Sequence, residues 1–102
     1  MAMLHIVNKS PFERNSLKSC LQHANSGSAV LLFEDGIYGA MNGSVVSDMV
    51  KDATKNLSLY VLGPDLKARG MSEDKVIDGI SVIDYDRFVD LVTDNEQVQS
   101  WL

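Results

Sequence analysis

A chain of 102 residues, 45% of them hydrophobic, holds enough apolar material for a single domain over 1–102 with a modest core. The formal net charge of −5 comes without any basic run, which argues against electrostatically driven binding of nucleic acid or of an anionic membrane surface. No apolar run approaches the roughly 20 residues needed to cross a bilayer, and no signal peptide is visible.

Met3 to Val7 reads as a first strand, apolar apart from His5, with Met3 able to serve as a start behind a Met1-Ala2 extension. Ser10-Pro11-Phe12-Glu13 carries the marks of a helix start: Ser10 as N-cap, Pro11 in the first position and Glu13 closing a capping box. Leu17, Cys20, Leu21 and Ala24 continue at helical spacing until Asn25-Ser26-Gly27. Ala29 to Phe33 is an unbroken apolar run, the pattern of a strand buried on both faces of a parallel sheet. It stops at Glu34-Asp35-Gly36, a turn at the carboxyl edge of the sheet, where α/β proteins place their sites.

Ile37 to Met41 suggests a helical turn, and Val45, Val46, Met49, Val50 and Ala53 mark an amphipathic helix. Leu57 to Leu62 is a third strand, ended by Gly63-Pro64. Asp65 to Arg69 is a short helix stopped by Gly70. Met71 to Gly79 reads as a loop with a turn of helix, and Ile80 to Ile83 as a fourth strand. Asp84 can cap a last helix carrying Tyr85, Phe88, Val89 and Val92; Asp94 to Ser100 is a polar tail ending in Trp101-Leu102. Strands alternating with helices imply right-handed crossovers and an α/β fold, a small three-layer flavodoxin-like arrangement with a parallel sheet of four to five strands between helices.

Cys20 is the one candidate nucleophile. On a wheel of about 100° per residue it falls roughly 60° from Leu17, at the margin of the apolar stripe and beside Ser16 and His23. A small core residue is the common fate of a free cysteine. The alternative is a persulfide-carrying thiol, its thiolate favoured by His23 one turn on. A lone thiol excludes an intrachain disulfide and suits a reducing compartment, so the expected location is cytoplasmic. His5, among apolar neighbours, reads as a hydrogen-bonded structural histidine. No metal-ligand cluster appears, and Asn8-Lys9-Ser10-Pro11 lacks the glycines of a phosphate loop. Trp101-Leu102 either folds back onto its own domain or packs against another subunit.

Met3-Leu4-His5, Ser10-Pro11, Leu31-Leu32 before Asp35-Gly36, Asp65-Leu66, Ala68-Arg69-Gly70, Ile83-Asp84-Tyr85, Phe88-Val89 and Trp101-Leu102, in this order and in a chain of this length, resemble the DsrH/TusB family of sulfur-relay subunits. The family is the smallest branch of the DsrE-like superfamily. Cys20 in the first helix looks like the DsrH branch of sulfur-oxidising bacteria, since the TusB branch generally lacks it. The resemblance implies a 2:2:2 heterohexamer with DsrE-like and DsrF-like (or TusD and TusC) subunits. Such a complex passes persulfide sulfur to a DsrC/TusE-type carrier, and no metal or organic cofactor is required.

In that family the principal sulfur-accepting cysteine lies on the DsrE/TusD subunit. The resemblance therefore gives this chain a mainly structural role, with Cys20 as an accessory persulfide site. The destination of the sulfur is sulfur oxidation or, alternatively, tRNA 2-thiouridine formation. Outside the family, a stand-alone flavodoxin-like binding or regulatory domain is the competing expectation.

Overall fold

The computed structural model describes residues 3–101. In chain order it comprises β1 (Met3–Val7), α1 (Ser16–His23), β2 (Ala29–Leu32), a 3-10 helix (Glu34–Ala40), α2 (Ser47–Ala53) and β3 (Ser58–Leu62). There follow α3 (Gly63–Ala68), a 3-10 turn (Glu73–Lys75), β4 (Ile80–Ile83), α4 (Tyr85–Asp94) and β5 (Gln97–Trp101). The sheet is five-stranded in the order β4-β3-β2-β1-β5, and every neighbouring pair is parallel.

Strand order fixes the layers. From β1 to β4 the chain steps steadily across the sheet, whereas the last connection returns over it to the far side of β1. Right-handed crossovers in opposite directions put their helices on opposite faces. Accordingly Leu17 and Cys20 of α1, Val50 of α2 and Leu66 of α3 pack with Val7, Val30, Leu32, Leu59 and Val61 in one core. On the reverse face Leu91 and Phe88 of α4 pack with Leu4, Ala29, Leu31, Leu62 and Ile83. Three helices cover one face and a single helix covers the other. β2 is buried along its whole length, as its unbroken apolar run demands.

Several element boundaries depart from the sequence reading: the 3-10 helix begins at Glu34 rather than Ile37, α3 at Gly63 rather than Asp65, and two helix starts are displaced by serine turns. The first helix begins at Ser16 rather than at Pro11. The Ser10 hydroxyl accepts from the Phe12 N–H (3.2 Å), and its carbonyl takes the Glu13 and Arg14 N–H groups (3.1 and 3.0 Å). Ser10 thus closes a single turn, a local alternative that serine side chains offer the backbone, and the helix restarts beyond it. The second helix begins at Ser47, because Ser44 forms a similar turn: its hydroxyl accepts from Val46 and its carbonyl from Ser47. Val45 is consequently left outside the helix and exposed.

The polar tail is the larger correction. Residues 97–101 form β5, registered against β1 from Met3↔Gln97 to Val7↔Trp101. The pairing uses backbone groups, and a strand at the sheet edge tolerates polar side chains on its solvent sides. Trp101 turns back onto its own chain and packs against the helix-rich core; Leu102 lies outside the described residues. At the other end of the last helix, Asp84 caps α4 as expected, its side chain accepting from the Arg87 N–H at 3.0 Å.

Candidate functional site

The reversal of strand order beside β1 puts the topological switch point at the carboxyl ends of β1 and β5. Three sequence features converge near that edge: the 3-10 helix carrying Glu34-Asp35-Gly36, the start of α3, and Trp101. The 3-10 helix is drawn tightly under the end of β1. Val7 carbonyl accepts from Phe33 N–H (3.1 Å), and a Cβ on Gly36 would overlap that same carbonyl oxygen. Glycine is therefore required there for close approach, whatever its conformation.

Glu34 holds a left-handed φ of 48°, uncommon for a residue with a side chain. Its N–H donates to Asp65 Oδ2 at 2.6 Å, and Arg69 Nε donates to Asp35 Oδ1 at 3.0 Å. The Glu34 N–H and the Asp35 carboxylate are thus engaged in fastening the 3-10 helix to α3. The edge is a latch between elements. Sequence reading missed both contacts, because partners 31 and 34 residues apart leave no local signal.

Cys20 sits in the last turn of α1 and is 0% exposed, inside the core beneath α1 and α2. Burial pushes its thiol up to about 12. His23 is turned elsewhere: Nδ1 carries a proton that it donates to the Ser19 carbonyl (2.7 Å), and its ring lies 6.1 Å from that of Trp101. Desolvation is the dominant influence on the sulfur, and it favours the neutral thiol.

His5 is buried on the helix-rich face of β1, and its Nδ1 accepts from Trp101 Nε1 at 3.0 Å. That bond fixes the neutral tautomer with its proton on Nε2, and burial holds the pKa below the usual histidine range. His5 is the structural histidine expected of it. Together His5, His23 and Trp101 form an aromatic clasp joining β1, α1 and β5, with ring centroids 6.0 and 6.1 Å apart.

At the opposite end of the sheet, an open cleft of about 400 Å³ runs between α1 and α2, lined by Leu21, Ala24, Met49, Asp52 and Leu57. It is remote from the switch point and holds no buried charged group. Among the described residues no group of three His, Cys, Asp or Glu side chains is placed to hold a metal ion. No helix among them is long and apolar enough to cross a membrane.

The helix α4 supplies the feature that the sequence did not reveal. Of the apolar residues the sequence places on this helix, Tyr85, Val89 and Val92 are 56%, 62% and 42% exposed. Leu91 and Phe88 do the inward packing instead.

Comparison with known proteins agrees with this architecture. The family model described as DsrH like protein matches residues 9–98. Protein TusB of Pectobacterium parmentieri is 34% identical over 100 residues, covering 97% of this chain and 100% of the relative. Protein TusB of Erwinia tasmaniensis is 36% identical over 99 residues with the same coverage. Among solved structures, the ychN protein from E. coli superposes with a TM-score of 0.79 at 18% identity, covering 98% of this chain and 99% of that one. The Methanobacterium thermoautotrophicum protein MTH1491 gives a TM-score of 0.72 at 17% identity, over 97% and 96% of the two chains. At such identities the structural likeness speaks to fold alone. The match to the family model over most of the chain and the full-length relatives place this chain in the DsrH/TusB family of sulfur-relay subunits.

Proposed function

We propose that the chain is a scaffold subunit of a cytoplasmic sulfurtransferase complex, assembled with DsrE-like and DsrF-like chains in a 2:2:2 heterohexamer. The observation that carries the reading is the enclosure of Cys20, the one thiol in the chain. In persulfide relay a thiolate attacks the outer sulfur of the donor persulfide; the donor's S–S bond breaks and the donor departs as a thiolate. One sulfur atom moves, the acceptor becomes the persulfide, and no net oxidation occurs. With the thiol pushed up to about 12, only about one Cys20 in 10⁵ is ionised at pH 7, and solvent does not reach the sulfur. A partner's cysteine is the better acceptor, and this chain's contribution is to build the assembly in which it works.

Sulfur oxidation with a DsrC-type carrier is supported by the cysteine in α1, a mark of the DsrH branch. Formation of tRNA 2-thiouridine through a TusE-type carrier is supported by relatives named TusB along the full length of the chain. Deleting the gene and measuring 2-thiouridine in bulk tRNA alongside sulfur-dependent growth assigns the branch.

The role itself is tested by loading the purified complex with a sulfur donor and weighing each subunit. A gain of about 32 Da, the mass of one sulfur atom, is expected on a partner and not on this chain. A gain here that disappears in Cys20→Ser would overturn the scaffold reading.

A further inference from the structure

The uneven covering of the sheet leaves a specific surface. On α4, Leu91 and Phe88 point at the sheet, and Arg87 leans to one flank, its guanidinium 6.0 Å from the ring centre of Tyr60 on β3. At about 100° per residue, Tyr85, Val89 and Val92 lie on the other flank, toward β1 and β5. The sheet there carries half-buried Ile6, at the margin of the core beneath α4, and 45%-exposed Val98. Helix flank and sheet margin make one apolar shelf. The segment around the shelf is acidic: Asp84, Asp86, Asp90, Asp94 and Glu96 outnumber a single cation, Arg87, so it holds four of the chain's five net negative charges, with Asp86 next to the shelf and Asp90 and Asp94 on the Arg87 flank. Arg87 approaches Asp94 and Asp90 only at 3.7 and 4.0 Å.

We infer that this shelf is a docking face for a non-identical protein chain that presents an apolar surface bordered by lysine and arginine. Charge decides the occupant. A second copy would lay one acidic border against another, and like charges across an interface oppose association. Nucleic acid and anionic lipid are repelled for the same reason. A basic-rimmed partner gains steering from the border and burial from Tyr85, Val89 and Val92. The inference rests on the reading of the chain as a subunit of a hetero-complex, and it names the face through which the chain joins.

The test is co-expression of the full chain with its DsrE-like and DsrF-like partners, followed by affinity measurement and native mass spectrometry. Val89→Glu is compared with Val45→Glu, an exposed valine on the opposite layer. Val89→Glu is expected to weaken association at least about 30-fold, the scale of a central interface residue, while Val45→Glu leaves it unchanged. The pair Asp86→Lys/Asp90→Lys, at exposed positions that leave the core alone, is expected to slow association more at low salt than at high salt. Melting curves of the isolated variants establish that each is folded.

Normal assembly by both the Val89→Glu and the double-lysine variants overturns this inference and leaves the subunit role standing. Failure of the unaltered chain to assemble with either partner overturns the subunit role itself. Self-association of the isolated chain that Val89→Glu abolishes makes the occupant a second copy, and also overturns the inference.

Discussion

Replacing Cys20 by serine separates a core thiol from a working one. The side chain is fully enclosed in the apolar cluster that holds Leu17 and Val30, so the substitution places a hydroxyl in an apolar core. Burying a hydroxyl without a good partner costs about 1–3 kcal/mol. For a domain near 100 residues each kcal/mol lowers Tm by roughly 4–8 °C, so a fall of about 5–20 °C is expected. Cys20→Ala, which adds no polar group, is expected to melt above the serine variant.

The assay pairs melting by circular dichroism with the relay rate of the reconstituted complex, measured well below the lowered Tm. A core residue predicts large loss of stability and an unchanged rate. The thiol's pKa supplies an independent readout. Folded Cys20 holds its proton up to about 12, whereas the unfolded thiol releases it near its ordinary value of 9.0. Its contribution to stability is therefore fully present below about pH 9 and declines as pH rises toward 12, because the unfolded state then gains by ionising. The serine variant should lack that component of the alkaline decline. A Cys20→Ser protein that melts like the unaltered chain and yet abolishes relay would refute the reasoning.

Gly36→Ala should destabilise the fold by about 2 kcal/mol or more, since its Cβ meets the backbone carbonyl of Val7 and neither backbone can yield cheaply; denaturant unfolding measures it. Trp101→Ala should cost about 2 kcal/mol by removing a half-buried ring and the bond to His5, and would reveal itself as early exchange of the β1 and β5 amides. Because burial lowers the His5 pKa, the unfolded state takes up the proton first. The clasp's contribution is thus complete above about pH 6.5 and is lost as pH falls below it, which tryptophan fluorescence follows and His5→Phe should flatten. Asp84→Ala should cost about 1 kcal/mol by removing the cap of α4, read from thermal melts; an unchanged Tm would deny the cap any weight.

Elements whose signals are local were legible. The unbroken run Ala29 to Phe33 announced a doubly buried strand, and Asp84 announced its cap, because burial on both faces and N-capping are both written in adjacent residues. The first helix was misplaced at its start for the same locality. Ser10, Pro11 and Glu13 suit a capping box and a single turn alike, and only the packing of residues beyond Arg14 decides between them. β5 was illegible because Gln97, Gln99 and Ser100 carry no apolar alternation; an edge strand is held by the backbone of its neighbour. The Asp35–Arg69 and Asp65–Glu34 contacts link residues that only folding brings together, which is why the sequence showed a turn at Glu34-Asp35-Gly36 but not the latch it forms.

By itself the sequence determined the alternation of strands and helices, the parallel sheet, the family and the poverty of chemistry outside one cysteine, since periodicity, capping residues and composition are properties of short stretches. Tertiary structure alone decided three matters. It enclosed Cys20, which the helical wheel had left at the margin, because α2 and the sheet close over that margin. It committed His5 and Trp101 to each other across 96 residues. And it turned half of an apolar stripe on α4 outward, because a helix returning alone over five strands has no neighbouring helix to bury its flank.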